Sequence, residues 1–246
     1  PVRANSDGSR PLPPGDSQWI GVAGGPLLPR TFNPASGFVA TANNPVQPGG
    51  SPFITRDWAA PFRATAITRA LAAGKGMDVA GASALQLDTH SLAADAVLKY
   101  VDQAIAAAEK SGTDAAALGV LQRLKQWNGA VGADEATTVY ELFEDRLWHR
   151  VFADDLPEPL FRRFYQWAGA ERFAGLHVVL ADPAARWWDD IGTIERKETP
   201  AEIYVLAAGD AVETKGDGPR LSTRKKPLPT KRLPAPIAVI STATTT

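Results

Sequence analysis

Helical periodicity is the feature that most constrains how this 246-residue chain can fold. From Pro61 to about Val212, apolar side chains recur three and four positions apart, and this spacing places them on one face of a helix. Pro61 suits the first turn of a helix, and Gly74 predicts where that helix ends. Residues 61–212 are therefore predicted to form one mainly helical region that buries the core.

Later segments of this region predict further helices with identifiable starts. One amphipathic helix is predicted over residues 92–108, and the next is predicted to begin at the Thr113–Asp114 cap. Residues 139–152 are strongly periodic, and the aromatic stripe over residues 160–167 is typical of core packing. Residues 199–202 read Thr-Pro-Ala-Glu, which is a capping box with proline in the first turn, so they predict the start of the last helix.

Residues 1–60 are predicted to be loop-rich, with one core strand over residues 37–44. That stretch is aromatic and β-branched, and Asn-Pro and Ser-Gly pairs before it and an Asn-Asn-Pro run at its end mark its limits. Asn43 would then lie where a strand gives way to a loop, and its neutral carboxamide is the type of donor that stabilises an oxyanion. The simpler interpretation, which composition alone favours, is that Asn43 and Asn44 only supply turn chemistry.

Several segments, in a fixed order, resemble signatures of the penicillin acylase (penicillin amidase) family of N-terminal nucleophile hydrolases. Residues 33–44 are similar to N-P-x-S-G-x-[IV]-x-x-x-N-N, and residues 57–63 to D-W-x-x-x-x-R. Residues 85–94 are similar to the helix segment L-Q-x-D-x-x-S-x-x-A, and residues 124–129 to L-x-x-W-D-G with asparagine in place of aspartate. Residues 1–11 are similar to P-x-R-x-x-x-D-G-x-x-P, so the resemblance runs from Pro1 to about Val212.

The resemblance implies two site residues and a fold class. Asn43 corresponds to the oxyanion-hole asparagine of the family, and Arg63 to the arginine that helps to organise the active site. For Arg63 the alternative is a solvated helix residue, and Arg69 would suit that alternative equally well. The implied fold class is α+β, as part of the four-layer αββα fold of N-terminal nucleophile hydrolases and dominated by its mainly helical region.

The nucleophile that the family uses is not found in this sequence. It is usually a serine at the start of the mature β chain, often in S-N-x-[WF], and its own α-amine acts as the base. The chain begins with Pro1 and contains no Ser-Asn pair. We therefore expect an internal fragment of the β chain, inactive alone, whose nucleophile lies upstream of Pro1.

The resemblance also implies what the intact parent does. It would hydrolyse a linear amide, either a β-lactam side chain or an N-acyl homoserine lactone, in the periplasm or outside the cell. Its expected partners are the small-molecule amide, the upstream α chain and the N-terminal β segment of the same precursor. A net charge of −1 provides no general attraction for nucleic acid, and no apolar run reaches membrane-spanning length.

No cofactor is expected, although calcium is possible in the intact parent. In the family an acidic residue is often found in the loop before the tryptophan, but residues 48–52 contain no carboxylate. Asp57 is a hard oxygen ligand in principle, yet one carboxylate does not make a calcium site. No metal site is therefore predicted in this chain.

Residues 213–246 differ in character, because lysine, arginine and proline recur there and Asp217 is the only acid after Glu213. This composition predicts disorder. One hypothesis is that the segment is out-of-frame or otherwise non-native coding sequence after a truncated domain. The other is a basic tail that binds nucleic acid or acidic surfaces, which belongs to the competing function of a non-catalytic helical interaction module.

The three histidines provide no clear catalytic group. His149 and His177 are predicted to pack in or beside the core. His90 lies beside Ser91 and near Asp88, which suggests a catalytic triad, but adjacent side chains on a helix point apart. We therefore do not assign a triad to this segment.

Overall fold

The computed structural model describes residues 2–8, 10–16, 18–46, 53–74, 76–167 and 171–213, with side chains described except at 167, 171–173 and 213. Helices dominate this part of the chain. They are α1 (Phe62–Ala73), α2 (Val79–Gln86), α3 (Leu92–Leu98), α4 (Val101–Ser111), α5 (Ala115–Gln126), α6 (Glu135–Phe152), α7 (Glu158–Trp167), α8 (Glu171–Ala181) and α9 (Pro200–Glu213). Short 3-10 helices span Gly25–Leu27 and Arg186–Trp188.

Two short antiparallel strands form the sheet of the described residues. They are β1 (Val2–Ala4) and β2 (Gln18–Gly21), and both are largely exposed to solvent. The mixture of many helices with few strands is compatible with the predicted α+β class. No helix in the described part of the chain combines the length and the apolar character that crossing a membrane requires.

The core forms around α9, which packs against α4, α5 and α6. Ala207 and Ala208 on α9 are fully buried, and their small side chains let neighbouring helices approach closely. Phe143 and Leu147 of α6 and Tyr204 of α9 supply large, fully buried side chains. Burial of this apolar surface, at about 25 cal/mol per Å², is the main stabilising contribution to the helical region.

The predicted helix starts are confirmed at several points. α1 follows Pro61 directly and ends before Gly74. The Asp114 side chain accepts a hydrogen bond from the Ala116 N–H at the start of α5. At the start of α9, Thr199 N–H donates to Glu202 Oε2 at 2.8 Å, and Glu202 N–H donates to Thr199 Oγ1 at 3.3 Å, as a capping box requires.

The prediction of a single helix over residues 92–108 is wrong, because the chain turns between α3 and α4. Tyr100 is buried there, and its hydroxyl donates to the Leu180 carbonyl at 3.1 Å. The Val97 carbonyl in α3 accepts from the Tyr204 hydroxyl at 2.7 Å. Apolar residues continue at helical spacing across the break, so periodicity does not reveal these distant tyrosine contacts.

The predicted strand over residues 37–44 is also absent. Gly37 and Asn43 have φ angles of 76° and 61°, in the left-handed region rather than the β region. The Ala42 N–H is taken by a side chain and the Asn43 carbonyl accepts from Ala59 N–H, so neither is part of a ladder. A strand also needs a neighbouring strand, and no described residue pairs with this segment.

Candidate active site

The structure brings the two predicted site residues into direct contact. Arg63 lies in the first turn of α1, and its Nη2 donates to Oδ1 of Asn43 at 2.9 Å. The same nitrogen lies 3.3 Å from the carbonyl oxygen of Ala42. Arg63 therefore contacts both the side chain of Asn43 and the backbone that precedes it, which a fully solvated helix residue would not do.

A backbone contact explains why α1 begins beside this loop. Ala59 N–H donates to the Asn43 carbonyl at 2.9 Å, which ties the segment before α1 to the asparagine loop. The helix then starts after Pro61, and this places Arg63 within reach of residue 43. The short segment between the Asn43 motif and the Arg63 motif therefore brings the two residues into contact.

The direction of the Arg63 hydrogen bond determines which end of the Asn43 carboxamide is available. Because Oδ1 accepts from the guanidinium, Nδ2 lies on the opposite side of the amide group. Asn43 is exposed, and no described residue accepts a hydrogen bond from its Nδ2. The site therefore presents a neutral N–H donor with a positive charge behind it, which suits an oxygen that gains negative charge.

Asn43 has a left-handed backbone conformation with φ of 61°. Asparagine adopts this region more readily than most residues, but it is still sparsely populated and carries a cost. Non-glycine residues in such regions cluster at functional sites, where the surrounding structure maintains them. The left-handed conformation sets the direction in which the Asn43 side chain leaves the backbone.

Asn44 is the residue of this site whose contacts the sequence did not predict. Its Oδ1 accepts from the Ala42 N–H at 2.9 Å, and its Nδ2 donates to the Pro45 carbonyl at 3.1 Å. The Asn-Asn pair was the available signal, but composition connects it only with turn chemistry.

The segment around His90 does not form a catalytic triad. His90 and Ser91 lie in a loop between α2 and α3, so the helix predicted through them is wrong. His90 Nε2 lies 3.0 Å from Asp95 Oδ2, and this hydrogen bond is the main cause that raises the pKa of His90. Ser91 Oγ accepts from Ala94 N–H and caps α3, so its role is structural.

The other two histidines pack among aromatic side chains, as predicted. The His149 ring lies 5.1 Å from that of Phe161. The His177 ring lies 4.3 Å from that of Phe62, which is the first residue of α1. Both ring nitrogens of His177 are buried without a hydrogen-bond partner among the described residues, and burial lowers the pKa of His177 to about 4.

The described residues provide no metal-binding cluster at the Asn43 site, and an apolar cavity among the helices lies elsewhere. Nowhere in the described ranges do three or more His, Cys, Asp or Glu side chains lie together in a way that could hold a metal ion. Asp57 is exposed, and calcium in a longer protein stays a prediction. An apolar cavity of about 230 Å³ lies between α5, α6 and α9, away from Asn43 and Arg63.

Comparison with known proteins identifies the family of this chain. A family model described as penicillin amidase matches residues 1–224. An acyl-homoserine lactone acylase QuiP of Pseudomonas fluorescens is 28% identical over 231 residues, which cover 86% of this chain and 28% of that protein. The protein of the same name from Pseudomonas syringae pv. tomato is 29% identical over 233 residues, covering 88% of this chain and 28% of that protein.

A penicillin acylase 2 proenzyme of Pseudomonas sp. is 28% identical over 194 residues, which cover 76% of this chain and 23% of that protein. The chain thus spans less than a third of the length of the curated relatives it matches. The family match includes the Asn43 and Arg63 motifs and ends within the basic segment, most of which lies outside the described residues. Since the match covers nearly the whole sequence, this chain belongs to the penicillin amidase family.

Proposed function

We propose that this chain contributes the oxyanion-stabilising asparagine to an amidohydrolase that cleaves a linear amide through an N-terminal nucleophile outside this sequence. The observation that supports the proposal most strongly is the hydrogen bond from Arg63 to Oδ1 of Asn43, which leaves Nδ2 available as a donor. Because the nucleophile is supplied from elsewhere, the 246-residue chain alone is inactive in this proposal.

In the proposed reaction, the nucleophile attacks the acyl carbon and the carbonyl oxygen becomes an oxyanion. Nδ2–H of Asn43 donates to that oxygen, and this bond is stronger in the transition state than with the neutral substrate. Arg63 keeps the carboxamide from turning its oxygen toward the oxyanion, which would be repulsive. The amine then leaves with a proton, and water hydrolyses the acyl-enzyme to release a carboxylic acid.

The names of the relatives support two substrate classes. Acyl-homoserine lactone acylases and a penicillin acylase are among the similar proteins, so the proposed substrates are N-acyl homoserine lactones or β-lactam side chains. The first class would make the parent an enzyme of signal degradation, and the second an enzyme of antibiotic metabolism. A periplasmic or extracellular location is part of the proposal, and the family resemblance is its support.

The proposed partners are the upstream α chain and the N-terminal β segment of the same precursor, which would complete an αββα fold. One relative is named a proenzyme, which supports a processed precursor. Residues before α1 also expose large apolar side chains: Trp19 is 73% exposed, Val22 82% and Phe32 96%. Such exposure is unusual on the surface of a complete folded protein, and these side chains are suited to burial against another segment.

The competing function is a non-catalytic helical interaction module with a basic tail. Family membership and the Asn43–Arg63 contact favour the amidase, since an interaction module needs neither. The residues that would carry the competing function lie mostly beyond Glu213, outside the described part of the chain.

The proposal is tested with the longer natural protein that contains this sequence. It would be incubated with N-acyl homoserine lactones of several chain lengths and with penicillins, and the acid and amine products quantified by mass spectrometry. We expect equal amounts of both products, and a processed β chain that starts with Ser, Thr or Cys. The 246-residue chain serves as the inactive control. A processed protein without such a residue, or without hydrolysis of any linear amide, would contradict the proposal.

A further inference from the structure

We propose that Asn44 is the positioning residue that sets the direction of the Asn43 carboxamide, an inference that rests on the proposed function of Asn43. Its side chain makes two hydrogen bonds to the backbone, one just before residue 43 and one two positions after it. Oδ1 accepts from the N–H of Ala42 at 2.9 Å, and Nδ2 donates to the carbonyl of Pro45 at 3.1 Å. One carboxamide thus connects the backbone before Asn43 with the backbone after it.

This connection matters because the conformation of Asn43 is not one that a free chain prefers. With φ of 61°, the backbone at residue 43 must be held against the more populated β and right-handed regions. A return of φ to negative values would rotate the Cα–Cβ bond and move Nδ2 away from its present direction. Asn44 is itself restricted, since Pro45 disfavours the helical region for the residue before it.

Burial indicates that the Asn44 contact on the upstream side persists in water. Ala42 is only 8% exposed and Asn44 is half-buried, whereas Asn43 is exposed. A buried backbone N–H needs an acceptor, and the Asn44 side chain supplies it for Ala42. The half-buried carboxamide of Asn44 thus holds the backbone of the loop, while the exposed carboxamide of Asn43 faces solvent.

Arg63 cannot set this geometry alone. Its guanidinium lies at the end of a long side chain and reaches Oδ1 of Asn43. Arg63 therefore determines that the Nδ2 end of the carboxamide points away from the guanidinium. Its described backbone contact is with the Ala42 carbonyl at 3.3 Å, which lies only on the upstream side of residue 43. The Ala59 N–H holds only the carbonyl of Asn43, which leaves Asn44 as the described side chain that holds the turn on both sides.

A merely structural Asn44 would affect stability without acting through Asn43, so the test is a double-mutant cycle in the longer enzyme. We expect Asn44→Ala to lower kcat about tenfold to a hundredfold, because small misplacements of a catalytic group have large effects. KM should stay within about twofold, because the Asn43 bond strengthens mainly in the transition state. In an Asn43→Ala background, Asn44→Ala should cause no further loss in kcat.

Two further variants complete the design. Asn44→Asp keeps the acceptor for the Ala42 N–H and should retain more activity than Asn44→Ala. Asn5→Ala is the matched control, because Asn5 is also left-handed, with φ of 58°, but lies outside the site and should leave kcat unchanged. A crystal structure of the Asn44→Ala protein should show residue 43 outside the left-handed region or its bond to Arg63 lost.

The outcomes separate the two proposals. If Asn43→Ala leaves kcat unchanged, the proposed function of Asn43 is wrong. If Asn43→Ala lowers kcat but Asn44→Ala does not, or if the two losses multiply, the positioning role of Asn44 is wrong while the proposed function stands. An unchanged residue 43 in the Asn44→Ala crystal structure would also overturn the positioning role.

Discussion

The orientation of its carboxamide decides whether Asn43 can donate a hydrogen bond to an oxyanion. A carboxamide has an acceptor end and a donor end, and only the donor end is useful opposite negative charge. The Arg63 bond to Oδ1 resolves this choice. The sequence could suggest Asn43 and Arg63 as separate candidates. The direction of their contact depends on the left-handed turn at Asn43, whereas the residue propensities of 37–44 predicted a strand.

Replacing Arg63 tests that orientation. We expect Arg63→Met in the longer enzyme to lower kcat about tenfold to a hundredfold, because the carboxamide is then free to turn its oxygen toward the oxyanion. Arg69→Met, on the same helix and exposed, is the matched control and should keep normal turnover. Equal kcat in the two variants would argue that Arg63 is only a solvated helix residue.

His177 gives the stability of the chain a defined pH dependence. Burial lowers the pKa of His177 from 6.5 to about 4, so between these values the unfolded chain binds a proton that the folded chain does not. The contribution of His177 therefore makes the free energy of unfolding decrease as pH falls from about 6.5 to about 4. Its packing against Phe62 makes His177→Phe a suitable replacement.

The measurement is urea unfolding of this chain and of His177→Phe at pH 7.0, 5.5 and 4.5. Relative to the parent chain, the variant should gain stability as pH falls, because it lacks the group that the unfolded state protonates. Carboxylates titrate in both proteins, so only the difference between them is diagnostic. Parallel pH curves would show that His177 is accessible to protons in the folded state.

At the scale of elements, helix starts could be predicted and helix breaks could not. A capping box is local, since Thr199 and Glu202 carry the whole signal within four positions. The break between α3 and α4 coincides with contacts to distant residues, such as the hydrogen bond from Tyr204 to the Val97 carbonyl, 107 positions away. The prediction of a strand at residues 37–44 was wrong for a related reason. A strand needs a partner strand, and the sequence of the segment itself does not show whether one is present.

Removal of the α9 cap provides the prediction at this scale. Thr199→Ala leaves the N–H of Glu202 without its acceptor, and we expect a loss of about 1 kcal/mol in the free energy of unfolding. Thr199→Ser keeps the hydroxyl and should lose little. Chemical denaturation of the chain measures both. Equal stability of the alanine and serine variants would mean that the capping box does not hold the start of α9.

At the scale of the whole molecule, the last described helix completes the core formed by earlier ones. α9 packs against α4, α5 and α6, and Arg150 of α6 makes two hydrogen bonds to the Asp210 carboxylate of α9, at 2.6 and 2.7 Å. Periodicity predicted that these helices exist and which faces are apolar. It could not predict which helix is central, since that depends on small residues such as Ala207 meeting distant partners.

The molecule also divides into a well-packed helical part and an N-terminal part with exposed apolar side chains. The Asn43 loop belongs to the second part, but α1 and Ala59 hold it beside the first. In our proposal, segments of the precursor bury the exposed surface and bring the nucleophile to Asn43. The family match supports this arrangement, because its relatives are more than three times as long as the matched region.

The most direct measurement is steady-state turnover of the Asn43→Ala variant of the longer enzyme with its best linear amide. Loss of one oxyanion donor typically lowers kcat by about two to three orders of magnitude, and we expect that loss here with KM nearly unchanged. Near-normal kcat in a correctly folded and processed Asn43→Ala protein would contradict the claim that this carboxamide stabilises the oxyanion.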